Sequence, residues 1–223
     1  MNAVLIRRLI LKDWYLSRLM LGVLGAVGAG AVGLLLLRNE TSGFLGLITS
    51  FIALILLSNM LPTLTIVNER KHHNLALVMS LPISPADYTA AKILANVLAY
   101  FVVWAAIVGA LLWIFVHASG FGGWIPFLIL AALAPFCAFG AITAVALVGE
   151  SEFGAILAMV ATNISYSFIW FFLVRVPGVV DALKSPVPIW SPTIVTIIAA
   201  EVGLIALAIG AAFFFQSRKT DFI

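Results

Sequence analysis

Six long apolar stretches divide the chain, at residues 19–37, 44–67, 93–116, 125–148, 153–174 and 192–215, with polar segments between them. Each holds 19 to 24 residues. At ~1.5 Å of rise per residue, that length crosses a hydrocarbon core of ~30 Å as a helix. The runs are continuous, whereas a membrane barrel is written in ~10-residue segments that alternate apolar and polar positions. The pattern therefore predicts an all-α integral membrane protein with six transmembrane helices. The six spans take about 137 of the 223 positions, so residues 1–223 read as a single transmembrane domain with no soluble domain.

Ahead of the first span, residues 2–17 read as a helix lying on the inner membrane surface. Leu5, Leu9 and Leu16 share one face of it, and Asp13 intrudes near that face. The other reading of this stretch is a basic flank with no further role. The first apolar run is too long for the core of a cleavable signal, Arg38-Asn39-Glu40 follows it, and no A-x-A site closes it, so it reads as a retained span.

Charge changes the picture by giving the spans a direction. Nine of the twelve basic residues fall on one side: Arg7, Arg8, Lys12, Arg18, Arg70, Lys71, Lys92, Arg218 and Lys219. Arg38, Arg175 and Lys184 fall on the other. Excess Lys and Arg in short segments mark the cytoplasmic side. Both termini and residues 68–91 are therefore expected in the cytoplasm of a plasma (inner) membrane protein, with residues 38–43 and 175–191 outside.

Composition agrees. Hydrophobic residues make up 64% of the chain and charged ones 9%, against roughly 25% charged in a soluble domain, and the mean hydropathy is +1.19. The net charge of +3 belongs to membrane flanks and does not indicate nucleic acid. Cys137 is the only cysteine, which excludes an intrachain disulfide and a thiolate metal site; it reads as a small apolar side chain in helix packing. His72, His73 and His117 have no carboxylate or cysteine at ligand spacing, so no metal is expected.

The segment between the second and third spans is the informative loop. Glu69-Arg70-Lys71 opens it, and Leu75, Val78 and Met79 form one side of a short amphipathic helix with His73 on the other. Pro82 and Pro85 break that helix. Ser84 or Asp87 can cap the next one, which carries Lys92 into the third span. A polar helix held between two spans is a handle through which a cytoplasmic partner could move both.

Glu69-Arg70, the amphipathic stretch, Leu81-Pro82-Ile83-Ser84 and Lys92 together resemble the loop of the ABC-2 type permeases, the transmembrane subunits of type-2 ABC exporters. The resemblance extends to six spans, an N-terminal surface helix and a proline-rich outer segment before the sixth span. It implies that the loop is a coupling helix docked on an ATPase subunit, with Glu69, Arg70, Lys71, His73, Leu75 and Met79 as the docking residues. The chain has no G-x-x-x-x-G-K-[ST] and so nothing to cradle phosphates. The resemblance accordingly implies a non-catalytic subunit without a cofactor of its own, ATP and Mg being bound by a separate chain. It also implies a second permease chain, identical or closely related. The expected function is export of an apolar or amphipathic substrate: a peptide, drug or lipid.

Polar residues inside the spans are the candidates for a substrate route. The second span carries Asn59 and Thr63, the fifth Asn163 and Tyr166. In the resembled family these two spans line the central path; polar glue between helices is the alternative. Glu201, in the sixth span, is the only charged residue in any of the six stretches. Burying it charged costs at least ~2.5 kcal/mol, so it should be protonated, paired or wetted, either as a substrate contact or with a structural partner. Gly22–Ala26–Gly30 and Gly25–Ala29–Gly33 form small-residue rows that predict tight packing of the first span, within the protomer rather than at the alternative place, a dimer seam.

Three other readings compete. A haem-exporter permease of cytochrome maturation has similar size and span number. A vitamin-importer membrane subunit has about six spans but lacks the long second loop. An intramembrane hydrolase would need a G-x-S-x-G, an H-E-x-x-H or an acidic dyad, and the chain has none of these.

Overall fold

A computed structural model describes residues 3–37, 39–71, 84–118, 120–149 and 151–218. Among them are eight α-helices and no strand. They are α1 (Ala3–Leu36), α2 (Glu40–Pro62), α3 (Asn68–Lys71), α4 (Pro85–His117), α5 (Trp124–Val148), α6 (Glu152–Leu173), α7 (Pro177–Lys184) and α8 (Pro192–Ser217), and a π-helical turn, Thr63–Val67, joins α2 to α3. Six of these stretches are long and apolar enough to cross a membrane, and they coincide with the six predicted spans.

Side chains start the helices as the sequence suggests. The Asn39 side chain accepts from the Ser42 N–H, and Ser84, Ser151 and Ser191 accept from the N–H three residues on, at Asp87, Gly154 and Ile194. Each satisfies one of the donors a helix start leaves free. Pro85, Pro177 and Pro192 stand in the first turns of their helices, where a missing N–H costs nothing. The proline-rich outer segment yields one short helix, α7, seated by Val179 and Ala182.

Two expectations change. Residues 3–17 are continuous with the first span and not a helix of their own: α1 is one helix of 34 residues, about 50 Å long. Helix α4, with 33 residues, likewise runs past what a bilayer core needs. Their N-terminal turns pack on each other through Ile6, Leu9, Tyr88 and Ala91. Nor do the small-residue rows of α1 pack within the protomer. A methyl group built on Gly22, Gly25, Gly30 or Gly33 meets nothing within 4 Å; only Gly28 is tight, against Ile107. The close approach between α1 and α2 is made by Gly46 of α2, beside the Ala31 carbonyl and the Leu35 side chain.

Helix α5 is the hub. In its most apolar window 72% of residues are buried, against 6% in α6 and 11% in α8. Both α6 and α8 pack on α5 and form no extensive contact with each other. Apolar clusters run the length of the bundle, from Phe51, Leu111 and Phe127 at one end, through Leu57, Tyr100 and Phe139, to Ile66, Leu147 and Ala212 at the other.

Candidate functional site: a charged brace and a membrane-depth polar cluster

Where the N-terminal turns of α1 and α4 pack together, they meet the end of the second span. Lys92 of α4 is fully buried, and its Nζ lies 2.9 Å from Asp13 Oδ2, 2.6 Å from Glu69 Oε2 and 2.7 Å from the Thr65 carbonyl. Asp13 comes from α1, Glu69 from α3 and Thr65 from the π-helical turn. Lys12 pairs with the second Glu69 oxygen, and the Tyr88 hydroxyl donates to Glu69 Oε2 at 3.0 Å. The hydroxyl of Thr65 donates to Asn96 Oδ1 at 2.7 Å, and Asn96 donates back to the Lys92 carbonyl at 2.9 Å. Burial would push the Glu69 carboxyl up, but the charges of Lys92 and Lys12 hold it below its ordinary value. A cavity of about 380 Å³ opens beside the cluster, lined by Lys12, Tyr15, Leu16, Leu64 and Asn68.

The local sequence explains how these groups converge. Pro62 cannot donate to the helical ladder, and the wider π turn follows it directly. Asp13 belongs to the buried face of α1 with Ile6, Leu9 and Ser17. It interrupts that face as an apolar stripe because it points at a buried cation. Trp14 adds a second tie from α1 to α4, its indole N–H donating to the Ala95 carbonyl at 3.3 Å.

Of the predicted docking residues, Glu69 is therefore buried inside the chain, only 7% exposed, and acts as a brace. Lys71 is at the surface and pairs with Glu152 at the start of α6, 3.1 Å away. Arg70 lies in α3. His73, Leu75 and Met79 lie outside the described residues, as does the short helix expected there.

The route candidates fall at membrane depth. Asn59 and Asn163 exchange hydrogen bonds between α2 and α6: each side-chain amide donates to the other's oxygen, at 3.3 and 3.2 Å. Thr63 donates to the Asn59 carbonyl and touches Met159 of α6. Three residues beyond Asn163, Tyr166 continues the same seam toward Trp170, with ring centroids 6.2 Å apart. Across from it on α8 is Glu201, whose main-chain carbonyl accepts from the Cys137 thiol of α5 at 3.3 Å. Tyr100 of α4 is stacked on Phe139 of α5 with centroids 4.4 Å apart.

Asn59 and Asn163 were each visible as polar residues within the second and fifth spans; that they bond to each other was not. The sequence reading missed Lys92, Lys12 and Asp13 as one cluster, and Cys137 as a neighbour of Glu201. The one signal for the cluster was Asp13, set among Ile6, Leu9 and Ser17 with no local cation on its own face.

The architecture thus defines a multi-pass membrane protein with a charged brace at the end of its second span and a polar seam between its second and fifth spans. Residues 29–217 match the family described as ABC-2 family transporter protein, and the chain belongs to it: it is a membrane permease subunit of an ABC transporter. Comparison with curated proteins and with solved structures gave no match. Lys12 and Asp13 precede the matched segment.

Proposed function

We propose that this chain is the permease of an ABC exporter, driven by a separate ATP-binding subunit that engages the loop at residues 68–91. Two such chains, or this one and a close relative, complete the pathway, with both termini cytoplasmic. The observation that supports this best is the root of the loop. Glu69 ties α3 to α1 through Lys12 and to α4 through Lys92 and Tyr88. A push on the loop would therefore reach three helices at once, while Lys71–Glu152 connects it to α6. The seam of Asn59, Thr63, Asn163 and Tyr166, with Glu201 beyond it, is the substrate route.

The test is co-purification with the ATP-binding subunit, followed by hydrolysis measurements on the reconstituted complex. The permease alone should hydrolyse no ATP. Glu69→Gln should weaken assembly and remove the permease's effect on hydrolysis, whereas Asn163→Ala should leave the complex assembled. Wild-type assembly, coupled hydrolysis and transport in Glu69→Gln would overturn the role given to the loop. Single-cysteine labelling after replacement of Cys137 checks the orientation: position 184 should react from outside only.

A further inference from the structure

The cavity beside the brace, about 380 Å³ in volume, falls within the ~300–1,000 Å³ of small-ligand sites. Two parts of the chain wall it: Lys12, Tyr15 and Leu16 of α1, and Leu64 and Asn68 at the end of the second span. Asp13 and Glu69 also reach it, but their acceptor oxygens are already engaged. Both Asp13 oxygens accept from Lys92, and the Glu69 oxygens accept from Lys12, Lys92 and Tyr88. Two carboxylates face two ammonium groups, so the brace itself is neutral.

What is left on the cavity side is donor capacity and positive charge. An ammonium carries several N–H donors; Lys12 gives one to Glu69, and its side chain is 45% exposed. Arg18, also exposed, folds back over Tyr15 with its guanidinium carbon 3.8 Å from the ring centroid. It donates to the Tyr15 hydroxyl at 3.1 Å, which spends a small part of its fork of donors. Arg18 thus makes the rim of a neutral cluster positive, and Asn68 adds an amide on the opposite wall. Lys and Arg donors with excess positive charge suit a phosphate group. A choline headgroup would bring a further cation beside Arg18, so a headgroup with net negative charge fits better.

Depth and surroundings point to a lipid. Lys12 and Leu16 precede the first apolar stretch, which starts at residue 19, by seven and three residues, or about 5–10 Å of helix. The headgroup layer occupies about 5–8 Å on each side of the hydrocarbon core. Trp14 and Tyr15 stand at this level, 39% and 66% exposed, as interfacial aromatic residues do. Leu16 and Leu19, 57% and 79% exposed, carry an apolar surface from the cavity wall toward the hydrocarbon. A dissolved phosphate has no use for that surface, whereas an acyl chain does.

We propose that the cavity binds the headgroup of an anionic phospholipid, its phosphate held by Lys12, Arg18 and Asn68 and its acyl chains lying along Leu16 and Leu19. The bound lipid joins α1 to the end of the second span and so steadies the root of the loop from the membrane side. The site goes beyond the exporter reading and stands without it; that reading only makes the leaflet the inner one.

The test is thermal unfolding of the purified full-length chain in detergent, titrated with dioleoylphosphatidylglycerol, with dioleoylphosphatidylcholine, or with soluble glycerol 3-phosphate. The phosphatidylglycerol should raise the melting temperature saturably; the other two should not. Arg18→Gln should raise the half-saturating lipid concentration about fivefold, the weight of one basic residue against an anionic headgroup. Leu16→Trp, which adds bulk to the cavity wall at an exposed position, should weaken binding at least as much. Arg7→Gln removes the same charge from an exposed position of α1 away from the cavity and should change the half-saturating concentration less than twofold. Equal stabilisation by both lipids, or an equal loss in Arg7→Gln and Arg18→Gln, would mean only general surface attraction and overturns the site. Saturation by glycerol 3-phosphate at the same concentrations overturns the lipid as its occupant. Unchanged phosphatidylglycerol binding in both Arg18→Gln and Leu16→Trp overturns the cavity as its place.

Discussion

At one end of the bundle, Asp13, Glu69, Lys12 and Lys92 pair with one another; in the spans, Glu201 Oε2 and the Tyr100 hydroxyl are buried without a hydrogen-bond partner. Apart from the exposed Lys12, both groups are buried, and both contain acids. The difference is that the first carries its own cations and the second does not. A self-neutralised cluster has much to lose from rearrangement, which suits a brace at the root of a loop. A buried acid without a counterion is costly to keep ionised, so removing its charge should cost the fold little.

The comparison predicts opposite signs when polar groups are removed. Lys92→Met should have the largest effect, destabilising the chain by about 3–5 kcal/mol because Asp13 and Glu69 then face each other without their shared cation. Thermal unfolding in detergent measures it, and replacing Asp13 and Glu69 with apolar residues in the same chain should restore most of the loss. Tyr100→Phe should move the other way, stabilising the unliganded chain by about 1 kcal/mol, since an unpartnered buried hydroxyl is removed while the stacked ring stays. A drop in melting temperature instead would show that the hydroxyl has a partner. Asn163→Leu should cost about 0.6 kcal/mol, the usual worth of a hydrogen bond between membrane helices; a double-mutant cycle with Asn59→Leu isolates that coupling. Lys71→Ala should have the smallest effect, at most a few tenths of a kcal/mol, because both it and Glu152 are about half exposed. A cycle with Glu152→Ala checks that value.

How much of this was legible depended on distance along the chain. The six spans follow from local hydropathy, and their caps from Asn39, Ser84, Ser151 and Ser191. Asn59 and Asn163 could be singled out because each is a polar residue in an apolar helix. The brace could not be read in this way: Lys92 is separated from Asp13 by 79 positions, and each member looks like an ordinary flanking charge. The length of α1 was obscured by its composition, since basic residues in its first turns suggested a surface segment, whereas the structure continues the span through them. The glycine rows gave spacing without direction, and most of their faces point outward. Glu201 was conspicuous as the only charge within the apolar stretches, but its contact with Cys137 emerges only when α8 is packed on α5.

The most direct test is to neutralise one acid from each region by the same isosteric change and compare melting temperatures without ligand. Glu69→Gln should lower the melting temperature by roughly 5 °C or more, because it leaves Lys92 and Lys12 short of a charge. Glu201→Gln should leave it unchanged or raise it, because an uncompensated acid is removed from the membrane interior. A fall for Glu201→Gln as large as that for Glu69→Gln would contradict the account, since it would mean that Glu201 is already paired within the chain.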